Sequence, residues 1–157
     1  MGLGPLYRCT FAPTESWSVE LSGGGGIEGQ GFLLVEGRSE GRFSARLRAA
    51  NYPRQRTDGT LTPDFRGVLE TDDGAVILFA WHGYGRATKG GSRQLLGSIT
   101  HLSEDHRYSW LNEAICVLTG EVRPRADGRF DVVFEVSELI WEPTGAANQV
   151  SPRDAAC

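Results

Sequence analysis

A chain of 157 residues, 39% hydrophobic and 23% charged, has the makings of one folded domain with a sizeable core, which excludes a disordered polymer. A net charge of −4 argues against a nucleic-acid partner, because phosphate contacts require clustered Lys and Arg. The longest apolar run, Ala75 to Trp81, is too short to span a bilayer as a helix, and no basic-then-apolar leader is visible. A cytoplasmic protein with no membrane partner is expected.

The 21 glycines are about twice the usual share of roughly 7% and follow no G-X-Y period. They point to many tight turns and hence many short strands. Residues 5–12 and 16–21 read as two strands separated by Pro13-Thr14-Glu15. The run Gly23 to Gly26 reads as a loop, since glycine loses the most conformational freedom on ordering. Gln30 to Gly37 and Arg42 to Tyr52 form the first long pair, turning at Arg38 to Gly41. In the second of these, Phe43, Ala45, Leu47 and Ala49 alternate with Ser44, Arg46 and Arg48, the period of a half-buried strand. Arg42, Arg46, Arg48, Arg54 and Arg56 therefore read as solvated sheet faces.

After Pro53 and a turn at Thr57-Asp58-Gly59, Leu61 to Thr71 reads as a strand ended by Asp72-Asp73-Gly74. Asp-Gly between two β-patterned runs is a hairpin signal. Its partner, Ala75 to Gly83, is apolar on both faces through Trp81, so Ile77, Phe79 and Trp81 are expected to pack against a second copy in a homodimer or larger homo-oligomer. Gly85 to Gly91 is a loop, Gln94 to Leu102 a strand and Ser103 to Arg107 a polar connection. Glu113 to Arg123 and Gly128 to Trp141 form the last hairpin. There Phe130, Val132, Phe134 and Val136 oppose Asp131, Val133, Glu135 and Ser137. From Gly145 the composition reads as a frayed tail, giving one domain over 1–144 and a tail over 145–157.

Eight to nine strands joined by short turns are the pattern of an all-β, antiparallel up-and-down barrel. Closure removes exposed edges, and about eight strands enclose room for one small ligand. A two-sheet sandwich is the alternative. Cys9 and Cys116 sit in strand-like surroundings and read as small buried apolar residues, and Cys157 as exposed. Their odd count and wide spacing suit neither a metal cluster nor a disulfide framework.

The stretch RTDGTLTPDFRGVLETDDG (Arg56 to Gly74) and RYSWLN (Arg107 to Asn112) resemble a bacterial family of small uncharacterised proteins with a calycin-like barrel. The specific pieces are Thr71 to Ala75 and Tyr108 to Asn112. The resemblance extends loosely from Leu6 to Trp141. It implies a β-barrel and brings no catalytic set with it. The run Gly23 to Gly26 and the segment His82-Gly83-Tyr84 depart from the pattern.

Asp64 and Arg66 occupy alternate positions of one strand, so both point to one face with Val68 and Glu70. If that face is the lumen, a carboxylate beside a guanidinium orients a polar ligand; if it is the outside, they are solvated charges. Trp81, His82 and Tyr84 end the next strand, where barrel mouths are built, and a His there suits proton transfer. Tyr108, Trp110 and Asn112, alternating on one strand face, would stack a flat ligand and fix it by one hydrogen bond, or else form a capped aromatic core. Glu135 shares a face with Ser137, Leu139 and Trp141 and is a second carboxylate candidate. Trp17 and Trp141 read as core or barrel-closing residues. His101 and His106, near loops, read as ordinary polar residues, and no His spacing supports a metal.

No nucleophile elbow, phosphate loop or dinucleotide fingerprint is present, so no cofactor is expected. Three functions remain open. The first is a barrel doing cofactor-independent isomerisation, cyclisation, hydration or dehydration on a hydrophobic or aromatic substrate, with Asp64 or His82 moving the proton. The second is the same barrel as a non-catalytic carrier, and the third is a filled barrel used for oligomerisation.

Overall fold

Period-two alternation along most of the chain produces ten strands in one antiparallel sheet. They are β1 (Gly2–Gly23), β2 (Gly26–Gly41), β3 (Ala45–Asn51), β4 (Arg54–Gln55), β5 (Leu61–Thr62), β6 (Asp64–Thr71), β7 (Val76–Ala87), β8 (Arg93–Leu102), β9 (Cys116–Pro124) and β10 (Phe130–Ile140). The computed structural model describes residues 1–23 and 26–143; the expected tail over 145–157, with Cys157, lies outside the described residues.

Eight long strands close a ring: β1 pairs with β2, β2 with β3, β3 with β6, then β6, β7, β8, β9 and β10 in turn, and β10 returns to β1. The short strands β4 and β5 pair with each other and link β2 to β7 at one end. The barrel is therefore up-and-down, as the turn spacing predicts, with no free edge among its eight long strands.

Inward positions follow the alternation. Phe43, Ala45, Leu47 and Ala49 are buried, as are Val132, Phe134 and Val136. Each large side chain removed from water contributes about 1.5–3 kcal/mol. Cys9 and Cys116 are buried as free thiols. Ile77, Phe79 and Trp81 belong to this same core rather than to a face for a second copy; the outward residues of β7 include Val76, Leu78, His82 and Tyr84. Burial inside the ring leaves Ile77, Phe79 and Trp81 nothing to offer a partner.

Several boundaries differ from the sequence reading. Residues 5–12 and 16–21 are one strand, because a bulge between Pro13 and Glu15 absorbs the extra residue and the ladder with β2 continues. The strand then runs to Gly23, which pairs with Gly26; residues 24–25 lie outside the described residues. The turn expected at Arg38 to Gly41 falls at Arg42 to Ser44, since β2 keeps pairing with β1 as far as Gly41. Leu61 to Thr71 is broken at Pro63, which has no N–H for the ladder. Strand β7 continues through the expected loop to Ala87.

Three turns share one chemistry. Gly59, Gly74 and Gly128 each follow an Asp, adopt φ of 80°, 91° and 80°, and donate their N–H to the carbonyl three residues back. Left-handed backbone is accessible to glycine without a Cβ clash, which is why Asp-Gly signals hairpins.

Trp17 and Trp141 do not close the barrel. They are 53% and 78% exposed. Trp17 lies where β1 and β2 run on past the other strands, and its ring stacks on Phe32 at 5.6 Å. Among the described residues no helix is long and apolar enough to cross a membrane, which says nothing of a barrel.

Candidate functional site

The two ends of the barrel are built differently. One is plugged by the segment after β8. Tyr108 to Asn112 is not a strand: Ser109–Asn112 is a single 3-10 turn, with Leu111 fully buried. The Asn112 side chain accepts from the Ser103 N–H at 2.8 Å and donates to the Ser103 carbonyl at 2.9 Å, imitating a backbone pair. Tyr108 donates to Asp73 at 2.7 Å, and its ring packs edge-on against Phe43. Trp110 donates to the Arg107 carbonyl, and the Arg42 guanidinium lies 4.3 Å from its ring centroid. Polar groups expected to hold a ligand are thus already paired within the plug.

Hydrogen bonds from Thr71 and Tyr108 hold the Asp73 carboxyl below its ordinary range. The two most specific pieces of the family resemblance, Thr71 to Ala75 and Tyr108 to Asn112, meet here through Asp73. What they share is a structural joint.

Beneath the plug Tyr7 and His101 face each other inside the barrel, the Tyr7 Oη 2.6 Å from His101 Nε2. Burial pushes the His101 pKa down to about 4 and the Tyr7 pKa well up. The imidazole is therefore neutral near pH 7. Burial raises the Cys9 thiol and pushes Cys116 up to about 11, so neither is an activated nucleophile.

The other end holds a chamber of about 240 Å³ inside the barrel. Its walls are apolar and include Phe11, Phe65, Trp81, Leu95 and Phe130, with Asn51 and Arg93 as its polar side chains. Phe65 and Trp81 lie 4.6 Å apart between ring centroids, and Phe11 meets Phe65 edge-on at 5.5 Å. Trp81 lies against Gly97: a Cβ there would meet the indole Nε1 at 2.3 Å and the His82 carbonyl at 2.2 Å. Glycine at that position is what lets the indole lie flat.

Asp64, Arg66 and His82 come together, but on the outer face. In β6 the inward residues are Phe65, Leu69 and Thr71, so Asp64 and Arg66 point out, the second of the two alternatives the sequence leaves open. Asp64 sits directly across from His82, with Oδ1 3.4 Å from Nδ1 and 3.9 Å from Arg66 Nε. An open cleft outside the barrel is lined by Asp64 and His82 with Tyr52, Arg54, Tyr84 and Ser98. Pro63 lines both this cleft and the chamber. The Asp64 N–H donates to Asn51 Oδ1 at 3.0 Å, a direct link between the two. Glu135 also points outward, 3.9 Å from Arg8.

Of the residues singled out from sequence, only Trp81 lines the chamber. Arg93 and Asn51 were missed. A signal for Arg93 was present: Arg93, Leu95, Gly97, Ile99 and His101 are alternate positions, so an Arg and a His share the apolar face of β8. Among the described residues no three His, Cys, Asp or Glu side chains converge as a metal would require.

Residues 2–139 match the family model described as "Protein of unknown function (DUF3237)". The chain belongs to this family. A beta-barrel like protein of Acinetobacter baumannii shares the fold with a TM-score of 0.73 at 21% identity, over 88% of this chain and 96% of that one. A protein with unknown function from Clostridium acetobutylicum gives 0.75 at 16%, over 89% and 100%. An enzyme from Penicillium herquei gives 0.57 at 18%, over 86% and 93%. At these identities the likeness concerns the fold. No curated protein matches the chain.

Proposed function

We propose that this DUF3237 barrel binds a small hydrophobic or aromatic molecule in the chamber at its unplugged end. The observation that carries the reading is the chamber itself: about 240 Å³ with aromatic and aliphatic walls and few polar groups. A dry apolar cavity of about 150 Å³ engineered in another protein takes up benzene, and drug-sized sites run about 300–1,000 Å³. The volume lies between these, which fits a one- or two-ring compound. Offset aromatic faces such as Phe65 and Trp81 suit a flat ligand.

A second reading is turnover without a cofactor, by isomerisation, cyclisation, hydration or dehydration. It draws on the Asp64–His82 pair standing one residue from the chamber wall at Pro63, and on the Penicillium herquei neighbour being called an enzyme. Binding is favoured because Asp64 and His82 lie outside the barrel wall.

The test is a titration with 2-naphthylmethanol, followed by the Trp81 indole N–H resonance. Saturable shifts at Trp81, lost in Leu95→Trp where the added ring fills the chamber, support the reading. Unchanged Trp81 resonances, or binding that survives Leu95→Trp, overturn it.

A further inference from the structure

Arg93 stands at an inward-facing position of β8 at the unplugged end, half-buried beside Leu95 and across from Val122. Eleven other arginines have carboxylate partners. Among the described residues Arg93 has none, although it lines the apolar chamber. Its Nη1 donates to the carbonyls of Gly59 at 3.2 Å and Gly85 at 3.4 Å. These two bonds anchor the head group between the β4–β5 turn and β7. They leave Nε and Nη2, the two donors on the side edge of the guanidinium, without partners among the described residues.

A partly desolvated cation without a counter-charge is unfavourable, and the geometry left open is the one a carboxylate accepts with two parallel bonds. Lysine would not offer that fork. We infer that the ligand of the chamber is an aromatic or hydrophobic anion, its ring body among Phe65, Trp81 and Phe130 and its carboxylate on the side edge of Arg93. The inference rests on the chamber being a binding site, and it adds the chemical class of the ligand.

The test compares 2-naphthoate with its neutral counterpart 2-naphthylmethanol by calorimetry near pH 7.5. Hydrogen bonds to charged groups predict that the wild-type protein prefers the anion by about tenfold or more. In Arg93→Gln that preference disappears because the anion loses far more affinity than the neutral probe, and saturable binding of the neutral probe reports that the chamber is intact. Should Arg93→Gln fail to fold, Arg93→Lys, which keeps the charge and loses the fork, lowers the preference instead. Equal binding of the two probes to the wild type, or a preference unchanged in both variants, overturns the anion inference and leaves the chamber reading standing. Failure of both probes to bind the wild type removes the chamber reading and the inference with it.

Discussion

The Tyr7 hydroxyl and the His101 imidazole are locked together at 2.6 Å inside the barrel, and His101 Nδ1 has no hydrogen-bond partner. Both groups keep their neutral forms and either tautomer leaves one donor unpaired; the phenol is the stronger donor and the imidazole nitrogen the stronger acceptor, which favours Tyr7 donating to Nε2 with the proton on Nδ1. A second proton would place an imidazolium in the core.

Acid should therefore unfold the protein partly through His101. Its folded pKa of about 4 lies below the 6.5 of an exposed histidine. Between these values the unfolded chain binds the extra proton, so the contribution is complete above pH 6.5 and falls away toward pH 4. At about 1.4 kcal/mol per pH unit, the loss by pH 4 is about 3 kcal/mol. Urea unfolding from pH 7 to 4 should show wild type losing about that much more stability than His101→Phe. Parallel pH profiles would refute the buried-histidine account.

A second expectation concerns Gly97. Its missing side chain accommodates the Trp81 indole and the His82 carbonyl, with a Cβ placed at 2.3 Å and 2.2 Å from them. Gly97→Ala must move the ladder or the ring, and overpacking of this kind costs about 1–3 kcal/mol. A lower melting temperature should accompany a shifted Trp81 indole N–H resonance, because the ring forms a chamber wall. Unchanged stability would mean that the β7–β8 contact is looser than it stands.

The barrel was legible because its signals are local. Alternation in Phe43 to Ala49 and Phe130 to Val136 marks the faces, and Asp-Gly marks the turns at Gly59 and Gly74. The site was less legible for two reasons. Which face of an amphipathic strand is inward depends on closure, so the sequence leaves both faces of the Asp64 strand open, although Phe65 and Leu69 are the more apolar set. A five-residue aromatic segment such as Tyr108 to Asn112 also fits a strand or a 3-10 turn equally well, and the choice is made by remote partners, Asp73 and Ser103. Arg93 stands one residue ahead of the strand that the sequence pattern predicts, Gln94 to Leu102.

Asn112 separates the plug from the chamber experimentally. Its side chain closes two hydrogen bonds to Ser103, and losing them strands a half-buried N–H and carbonyl at about 1–3 kcal/mol. Asn112→Ala should lower the urea midpoint accordingly while leaving 2-naphthylmethanol affinity within about twofold. A large loss of affinity at unchanged stability would return Asn112 to the binding site.

Asp64→Asn discriminates between binding and turnover. Asp64 points away from the lumen, its carboxylate meeting His82 at 3.4 Å, and only its backbone N–H reaches the chamber residue Asn51. The substitution keeps that backbone bond and removes the negative charge facing His82 and Arg66. Chamber affinity for 2-naphthylmethanol should therefore stay within about twofold of wild type by calorimetry. The imidazole resonances of His82 should change as the facing carboxylate is replaced, which reports that the substitution reaches the outer pair. A variant that folds normally and yet loses chamber binding would make the outer pair part of the site, and the division between chamber and cleft would fall.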